Sequence, residues 1–597
     1  MPLIVQKFGG TSVANSEKIL AAARKAIRAQ REGNQVVMVV SAMGKNTDAL
    51  VELAAEISDH PPDREMDMLL ATGEQVSVAL MSMAVDRLGH QAISFTGAQV
   101  GIRTDNIHTQ ARIQSISTER MQRALDEGKI VIVAGFQGID ADYNITTLGR
   151  GGSDTTAVAL AAVMNAALCE VHTDVDGVYT TDPRLAPEAC MLRQVSYDEM
   201  LELASLGAGV MHNRAIEFAK KFNVPIHVRS SFSDTPGTMI VEAPEPSNRP
   251  VSGCAVIKDE ALVTLTGVPD QPGTSLAVFS KIASRNVTVD MIVQNIGEHG
   301  KADISFTVLR NDLPVTLAAV EEAARELDAE GFYHEDTVGK VSVVGLGMAL
   351  QSGVASRMFH ALADSGINML MITTSEIKIS ALVAREYAEA ALRIVHRTFG
   401  LEKAPEAATT TTSTQQTGNA PQGEVARHAI DVVKRLQAME ALAIDEIVLD
   451  ESQARVTLTD VPDHPGIAAS VFDAIGAAGI FVDMIVQSYA RGGRATISFT
   501  VPRDTLQKSE KLARRLSAKL GCGPVSSAPG VAKLSVTGIG MRSHAEVAIR
   551  MFEALARAGI NVGIISTSEV RVNVVVGGDQ GAAGLKALQQ AFAEAQG

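Results

Sequence analysis

The sequence predicts an α/β chain: a three-layer α/β domain over residues 1–245, then four small ferredoxin-like α+β modules. Three observations carry that expectation. Residues 1–245 alternate short apolar strands with helices, as when helices cover both faces of a mostly parallel sheet. Polar or glycine-rich clusters recur at the predicted C-terminal ends of those strands, at Lys7–Gly10, Ser41–Thr47, Gly149–Asp154 and Thr173–Arg184. Ligands of open α/β sheets bind at that edge. Beyond residue 250 the chain repeats itself at one constant offset.

Length and composition bound the function. At 597 residues the chain exceeds one core, so several domains are expected. A formal net charge of −15 argues against a broad nucleic-acid surface, leaving local cation clusters to hold any polyphosphate. Cys169, Cys190, Cys254 and Cys522 are scattered and read as reduced thiols of a cytoplasmic protein. The His residues show no metal-ligand spacing, so no protein-bound metal is expected. The first residues are too short an apolar run for a signal peptide, and no stretch of about 18 apolar residues appears, so no membrane partner is expected.

In order, strand Leu3–Phe8 leads into Gly9-Gly10-Thr11-Ser12, then helix Glu17–Arg31 and strand Val36–Val40. Helices are expected near Ala49–Ile57 and Met66–Leu88, the second carrying Thr72-Gly73-Glu74. Strands Ala92–Thr96, Lys129–Phe136 and Leu168–Thr173 follow, with a helical region Tyr197–Asn223 and a strand Pro225–Ser230. The organising stretch is Thr146–Ala157, TTLGRGGSDTTA, ahead of an Ala-rich helix Thr155–Ala167. Its glycines let backbone N–H groups approach a ligand, and Ser153 or Asp154 would cap the helix. A helix N-terminus suits an anion, and Arg150 adds a guanidinium for bidentate grip of a carboxylate or phosphate. G-x-x-x-x-G-K-[ST] is absent, as are H-R-D and D-F-G. Asp174-x-Asp176-Gly177 lacks the further ligands of a calcium loop.

KFGGTS (7–12), SAMG (41–44), Gly73-Glu74, LGRGGSD (148–154) and TDVDGVYTTDPR (173–184) resemble aspartate kinases of the amino-acid-kinase (carbamate-kinase-like) fold. The resemblance implies ATP-dependent phosphorylation of the L-aspartate β-carboxylate to 4-phospho-L-aspartate, the entry to lysine, threonine and methionine biosynthesis. It implies that Lys7 neutralises the transferring phosphoryl group, with Phe8, Gly9 and Gly10 at the nucleotide. Asp154 would organise Lys7 or orient the reactants. Ser41, Thr47, Glu74, Arg150, Gly151, Gly152 and Ser153 would hold aspartate, Glu74 at the α-ammonium and Arg150 at the α-carboxylate. Thr173, Asp174, Tyr179, Asp182 and Arg184 would hold adenosine and the outer phosphates, with Mg²⁺ held through the phosphates. One departure stands at Gly209, where many members carry a lysine.

After a Pro-rich linker, Glu242–Pro250, Val268–Gly273 (VPDQPG) matches Val461–Gly466 (VPDHPG), 193 residues on. VDMIVQ at 289–294 recurs at 482–487, ISFTV at 304–308 recurs at 497–501, and VSVVGLG at 341–347 pairs with LSVTGIG at 534–540, all at the same offset. A two-part block was copied whole, the copies being joined by a low-complexity linker. Strands Ala261–Thr266, Thr288–Asn295 and Ala302–Leu309 flank a helix Thr274–Arg285. A second set follows with Val341–Val344, helix Val354–Ser365, Met369–Thr374 and Lys378–Val383. The dinucleotide fingerprint is incomplete at Leu350 and Ser543, so a dehydrogenase domain is not expected.

These modules resemble ACT domains, paired amino-acid-sensing units. The expected boundaries are 256–335, 336–400, a linker at 401–428, 429–528 and 529–597. Asp270 with Gly273, and Asp463 with Gly466, place a carboxylate and free N–H groups before a helix, suited to an amino acid's ammonium and carboxylate; equally, they only shape the turn. Gln294, Asn295 and Gln487 could add polar contacts, and the partner modules offer Asn368 with Ser375 and Asn561 with Ser568. The resemblance implies feedback by lysine, threonine or both, and a homo-oligomer, expected to be a dimer through ACT domains. The alternative is an amino-acid sensor with a degenerate kinase domain.

Overall fold

The computed structural model describes the chain except residues 208–209, 246–247, 297–299, 352, 405–441, 489–491, 540, 542–545 and 596–597. Its first domain is built on an eight-stranded sheet. The order is Gln194–Ser196, Thr238–Val241, Ile226–Ser230, Leu168–Thr173, Leu3–Phe8, Gln35–Val40, Ile130–Ala134 and Ala92–Phe95. All neighbours run parallel except Ile226–Ser230 with Thr238–Val241. Strand ends therefore gather at one edge, as the sequence pattern required.

Burial on both faces explains the unbroken Val/Ile/Met runs of the central strands. On one face helices Ser16–Arg31 and Asp63–Arg87 pack on Val36, Met38, Val40, Ile130 and Ile132. On the other, helices Gly152–Val163 and Asn213–Phe222 pack on Val5, Val37, Val39, Val131 and Cys169. Helix Asp63–Arg87 has the length and hydropathy of a membrane span, but it is half buried in the domain and carries Glu74.

Two local expectations are corrected. The helix expected from Thr155 begins at Gly152, with Gly151 as a left-handed N-cap that makes no side-chain cap bond. Ser153 and Asp154 thus lie in its first turn, where their side chains serve the site instead of the helix end. The strand expected over Lys129–Phe136 is Ile130–Ala134. In the chain between it and that helix come Gln137–Ile139 and Ile145–Thr147, which belong to a separate sheet with Arg103–Thr104 and Ile113–Ser115. Strands of two or three residues carry no readable period.

The part of the chain beyond residue 250 forms a single twelve-stranded sheet among the described residues. The sequence reading had one helix per module; each has two, the second ones being Leu313–Glu326, Ala388–Thr398, Leu506–Leu520 and Gly581–Ala591. The modules of a block interleave. Strand Gly253–Pro269 pairs by its first half with Lys340–Val344 and by its second half with Lys301–Leu309. Boundaries at 256 and 336 would cut shared strands, and the second block repeats the plan with Ala443–Pro462. The expected linker lies almost wholly outside the described residues.

The two blocks join crosswise. Ile372 pairs with Gln487 and Thr373 with Val486, tying the second module to the third. At the opposite end the first and fourth modules abut, with Thr567 Oγ1 donating to the Asp290 carbonyl at 2.8 Å and Gln294 Nε2 to the Val562 carbonyl at 2.9 Å. Leu262, Met371, Met484 and Val575, one from each module, share an apolar cluster. The two blocks thus pair strand to strand within one chain.

Candidate active site

A cavity of about 940 Å³ opens at the sheet edge. Lys7, Gly9, Gly10, Ser41, Thr47, Glu74 and Arg150–Asp154 all line it. Lys7 is the penultimate residue of strand Leu3–Phe8, and its Nζ lies 2.6 Å from Asp154 Oδ1, both side chains 12% exposed. The ammonium is thereby aimed while its charge is balanced. Glycine is required beside it: a Cβ on Gly10 would stand 2.8 Å from the Ala42 carbonyl oxygen. Gly151 has φ +70°, and a Cβ there would lie 2.2 Å from that of His212.

Glu74 reaches the cavity from the middle of helix Asp63–Arg87, where Gly73 lets that helix close on Ala42. Its Oε1 accepts from the Ala42 N–H at 3.1 Å, while Oε2 is buried without a hydrogen-bond partner. Burial pushes its carboxyl up to about 7, against the pull of backbone hydrogen bonds from Glu74 itself and Ala42. A buried acid of this kind is set to ionise when a cationic group arrives.

Several cavity residues were not read from the sequence. Arg214, on helix Asn213–Phe222, donates to the Leu148 carbonyl at 2.6 Å and the Ala111 carbonyl at 2.8 Å. It pins the two loops that flank Gly149–Arg150. Buried Asp67 accepts from Thr147 Oγ1 at 2.5 Å and from the Thr109 N–H at 3.0 Å, fixing the same loops from below. Arg112, His212, Glu217, Lys221 and Ile539 also line the cavity. Burial first, then the Arg214 charge, holds His212 below the usual histidine range. These residues are far apart along the chain, and the tertiary fold brings them to one cavity.

The expected nucleotide residues divide. Gly9 N–H donates to the His172 carbonyl at 3.3 Å, so Thr173, next on the neighbouring strand, continues the same edge. Phe8 is fully buried against His172, ring centroids 4.6 Å apart, and offers the cavity no side chain. Asp174, Tyr179, Asp182 and Arg184 lie outside the cavity lining. Arg184 folds onto Asp182, Nη2 to Oδ2 2.7 Å, and is 87% exposed, because the pair stands only two residues apart in a turn. Gly209 falls outside the described residues.

The expected effector residues assemble across blocks, an arrangement that the sequence left open. Asn561 Nδ2 donates to Asp270 Oδ1 at 2.7 Å, and Asn368 Nδ2 to Asp463 Oδ1 at 3.0 Å. Gln294 and Gln487 each donate to a backbone carbonyl of the opposite block, at Val562 and Met369. Gly273 and Gly466 are left-handed N-caps with φ +96° and +93°. Ser568 lines a cavity of about 80 Å³ between modules one and four. Ser375 lines one of about 290 Å³ between modules two and three, its hydroxyl buried without a hydrogen-bond partner. The side chain of Asn295 lies outside what is described.

The sheet order, the glycine-softened strand ends and the Lys7–Asp154 pair define a phosphotransfer enzyme of the amino-acid-kinase class. The sequence profile of the Amino acid kinase family matches residues 2–230, and ACT domain profiles match 263–328, 341–399, 459–513 and 534–592. Aspartokinase 2 of Bacillus subtilis is 52% identical over 408 residues, 68% of this chain and 100% of the relative. The aspartate kinase structure from Synechocystis covers 99% of this chain and 98% of its own, at 40% identity and TM-score 0.51. E. coli aspartokinase III, in one structure with aspartate and ADP and in another with lysine and aspartate, matches at 25% identity. The TM-scores are 0.57 and 0.54, over 66% and 67% of this chain and 99% of each of those. The chain belongs to the aspartate kinase family.

Proposed function

We propose that the chain transfers the γ-phosphoryl group of ATP to the β-carboxylate of L-aspartate, giving 4-phospho-L-aspartate and ADP. The observation that carries this reading is one cavity offering an aimed ammonium, a guanidinium and a buried, half-satisfied carboxylate. Glu74 takes the α-ammonium through its free oxygen, and Arg150 takes the α-carboxylate. The side-chain carboxylate then faces Lys7, with Ser41, Thr47, Gly151, Gly152 and Ser153 closing around the substrate. A carboxylate oxygen attacks the γ-phosphorus, a P–O bond forms, and the bond to the departing ADP oxygen breaks. The attacking group is already ionised, so no base is needed. Catalysis rests on alignment and on Lys7 neutralising the phosphoryl oxygens, with Asp154 holding Lys7 in place.

ATP would run along the edge from Gly9 and Gly10 to Thr173 and Asp174, with Tyr179, Asp182 and Arg184 turning toward the outer groups on binding. Among the described residues no group of three or more His, Cys, Asp or Glu gathers to hold a metal. We propose that Mg²⁺ would be held through the phosphates of ATP, where it would offset their charge.

The two cross-block interfaces are proposed as feedback sites for lysine, threonine or both. The partnerless Ser375 hydroxyl offers a polar contact to an amino acid in the 290 Å³ cavity, whose carboxylates Asp483 and Glu376 are already paired with Lys533 and Arg571. A homodimer is the proposed assembly, formed through surfaces other than the strand edges already paired. A coupled ADP-release assay with aspartate, glutamate and acetate, repeated with lysine and threonine singly and together, tests the whole. Turnover that does not depend on aspartate refutes the substrate, and turnover indifferent to both amino acids refutes the feedback reading.

A further inference from the structure

Helix Asn213–Phe222 carries Arg214, Glu217, Phe218 and Lys221 to the catalytic cavity, and its first residue meets the fourth regulatory module. Asn213 Nδ2 donates to Glu569 Oε2 at 3.1 Å. Glu569 is 3% exposed, and its own N–H donates to Glu202 Oε1 at 2.9 Å. Glu202, fully buried in the kinase domain, lies 2.8 Å from Lys378 Nζ of the second module. Val570 belongs to the kinase-domain core, and Ile539 lines the cavity itself.

The same short run faces the opposite way too. Thr567, Ser568 and Glu569 line the 80 Å³ cavity between modules one and four. The residue 193 positions earlier, Glu376, pairs instead with Arg571, so the two copies have taken different tasks. Carboxylates are costly at a buried joint, where apolar residues of equal volume commonly hold better. Their presence here points to orientation.

We propose that Glu569 is a positioning residue for the aspartate subsite. It sets the N-terminal end of helix Asn213–Phe222 and, through Arg214, the place of the Gly149–Gly151 loop, so that a ligand between modules one and four is felt at Arg150. The proposal rests on the reading that this cavity binds aspartate.

The test uses the full chain with Glu569→Ala, Glu569→Gln, Asn213→Ala and the Ala/Ala double variant. Loss of a charged hydrogen bond at the helix end should raise the aspartate KM about tenfold with kcat within about twofold. Glu569→Gln, whose amide oxygen still accepts from Asn213, should restore the wild-type KM. The double variant should be no worse than either single one. Inhibition by whichever of lysine or threonine is lost in Asn561→Ala should be lost in Glu569→Ala as well. An unchanged KM, a double variant at the product of the singles, or inhibition that survives in Glu569→Ala overturns the proposal. Should Glu569→Ala fail to fold, Asn213→Ala carries the test alone. Hydrogen exchange over residues 213–222, expected to be faster in both alanine variants, is read without substrate. A wild-type enzyme that ignores aspartate would therefore sink the functional reading and leave this one standing or falling by exchange.

Discussion

Glu74→Gln should make the free enzyme more stable while crippling it. The carboxyl is 3% exposed and pushed from an ordinary 4.5 to about 7. In the unfolded chain it ionises near its ordinary value. Between these two values the folded protein keeps a proton that the unfolded chain has lost, so stability falls as pH rises through the window and levels off above 7. The shift corresponds to about 3 kcal/mol at pH 8, a cost of burial that glutamine avoids while still accepting from the Ala42 N–H. For a domain of about 200 residues this is a rise in Tm of several degrees. Thermal unfolding of the intact chain should show that gain at pH 8 and none near pH 4.5. Aspartate kcat/KM should fall about tenfold per unit below pH 7 in the wild type, and be flat and at least tenfold lower in the variant. A variant no more stable at pH 8, or a wild-type profile flat from pH 5.5 to 7, refutes the account of Glu74.

Lys7→Ala should lower kcat about 10³-fold with the far-ultraviolet dichroism unchanged; near-full turnover would remove Lys7 from catalysis. Gly151→Ala meets both a left-handed backbone and a 2.2 Å approach to His212, so the loop must shift by about 1 Å and kcat/KM for aspartate should drop about 10²-fold. Asn368→Ala and Asn561→Ala each break one cross-block hydrogen bond. Inhibition curves for lysine and threonine should each move in only one of the two variants, and identical shifts in both would show that the interfaces are not separate sites.

Residues adjacent in sequence to a glycine turn were legible. Lys7 and Gly9–Gly10 at the end of Leu3–Phe8, and Ser41 after Gln35–Val40, sit where apolar runs fix the sheet edge; Arg150–Asp154 stood out by their glycines, and all of them line one cavity. Arg214 and Asp67 were not, because each acts on backbone carbonyls, N–H groups or hydroxyls far along the chain, which leaves no pattern. The helix cap was misplaced because side-chain caps dominate the usual signal, whereas here a left-handed Gly151 starts the helix. The duplication was plain from the constant offset, but not its crosswise pairing. Identical motifs in both copies fit pairing within a block as well as between blocks, and the folded contacts, such as the ladder of Ile372 with Gln487, decide for the second.

That crosswise closure changes what dilution and mutation can do. Two halves on one chain face each other at an effective concentration in the millimolar range, so the sensing interfaces persist however little enzyme is present. In a symmetric pair of identical chains every substitution would strike both interfaces at once. Here each residue serves one, and the copies have drifted apart, with Glu260 against Gln453 and Asn295 against Ser488. The two cross-block interfaces of one chain can thus diverge independently.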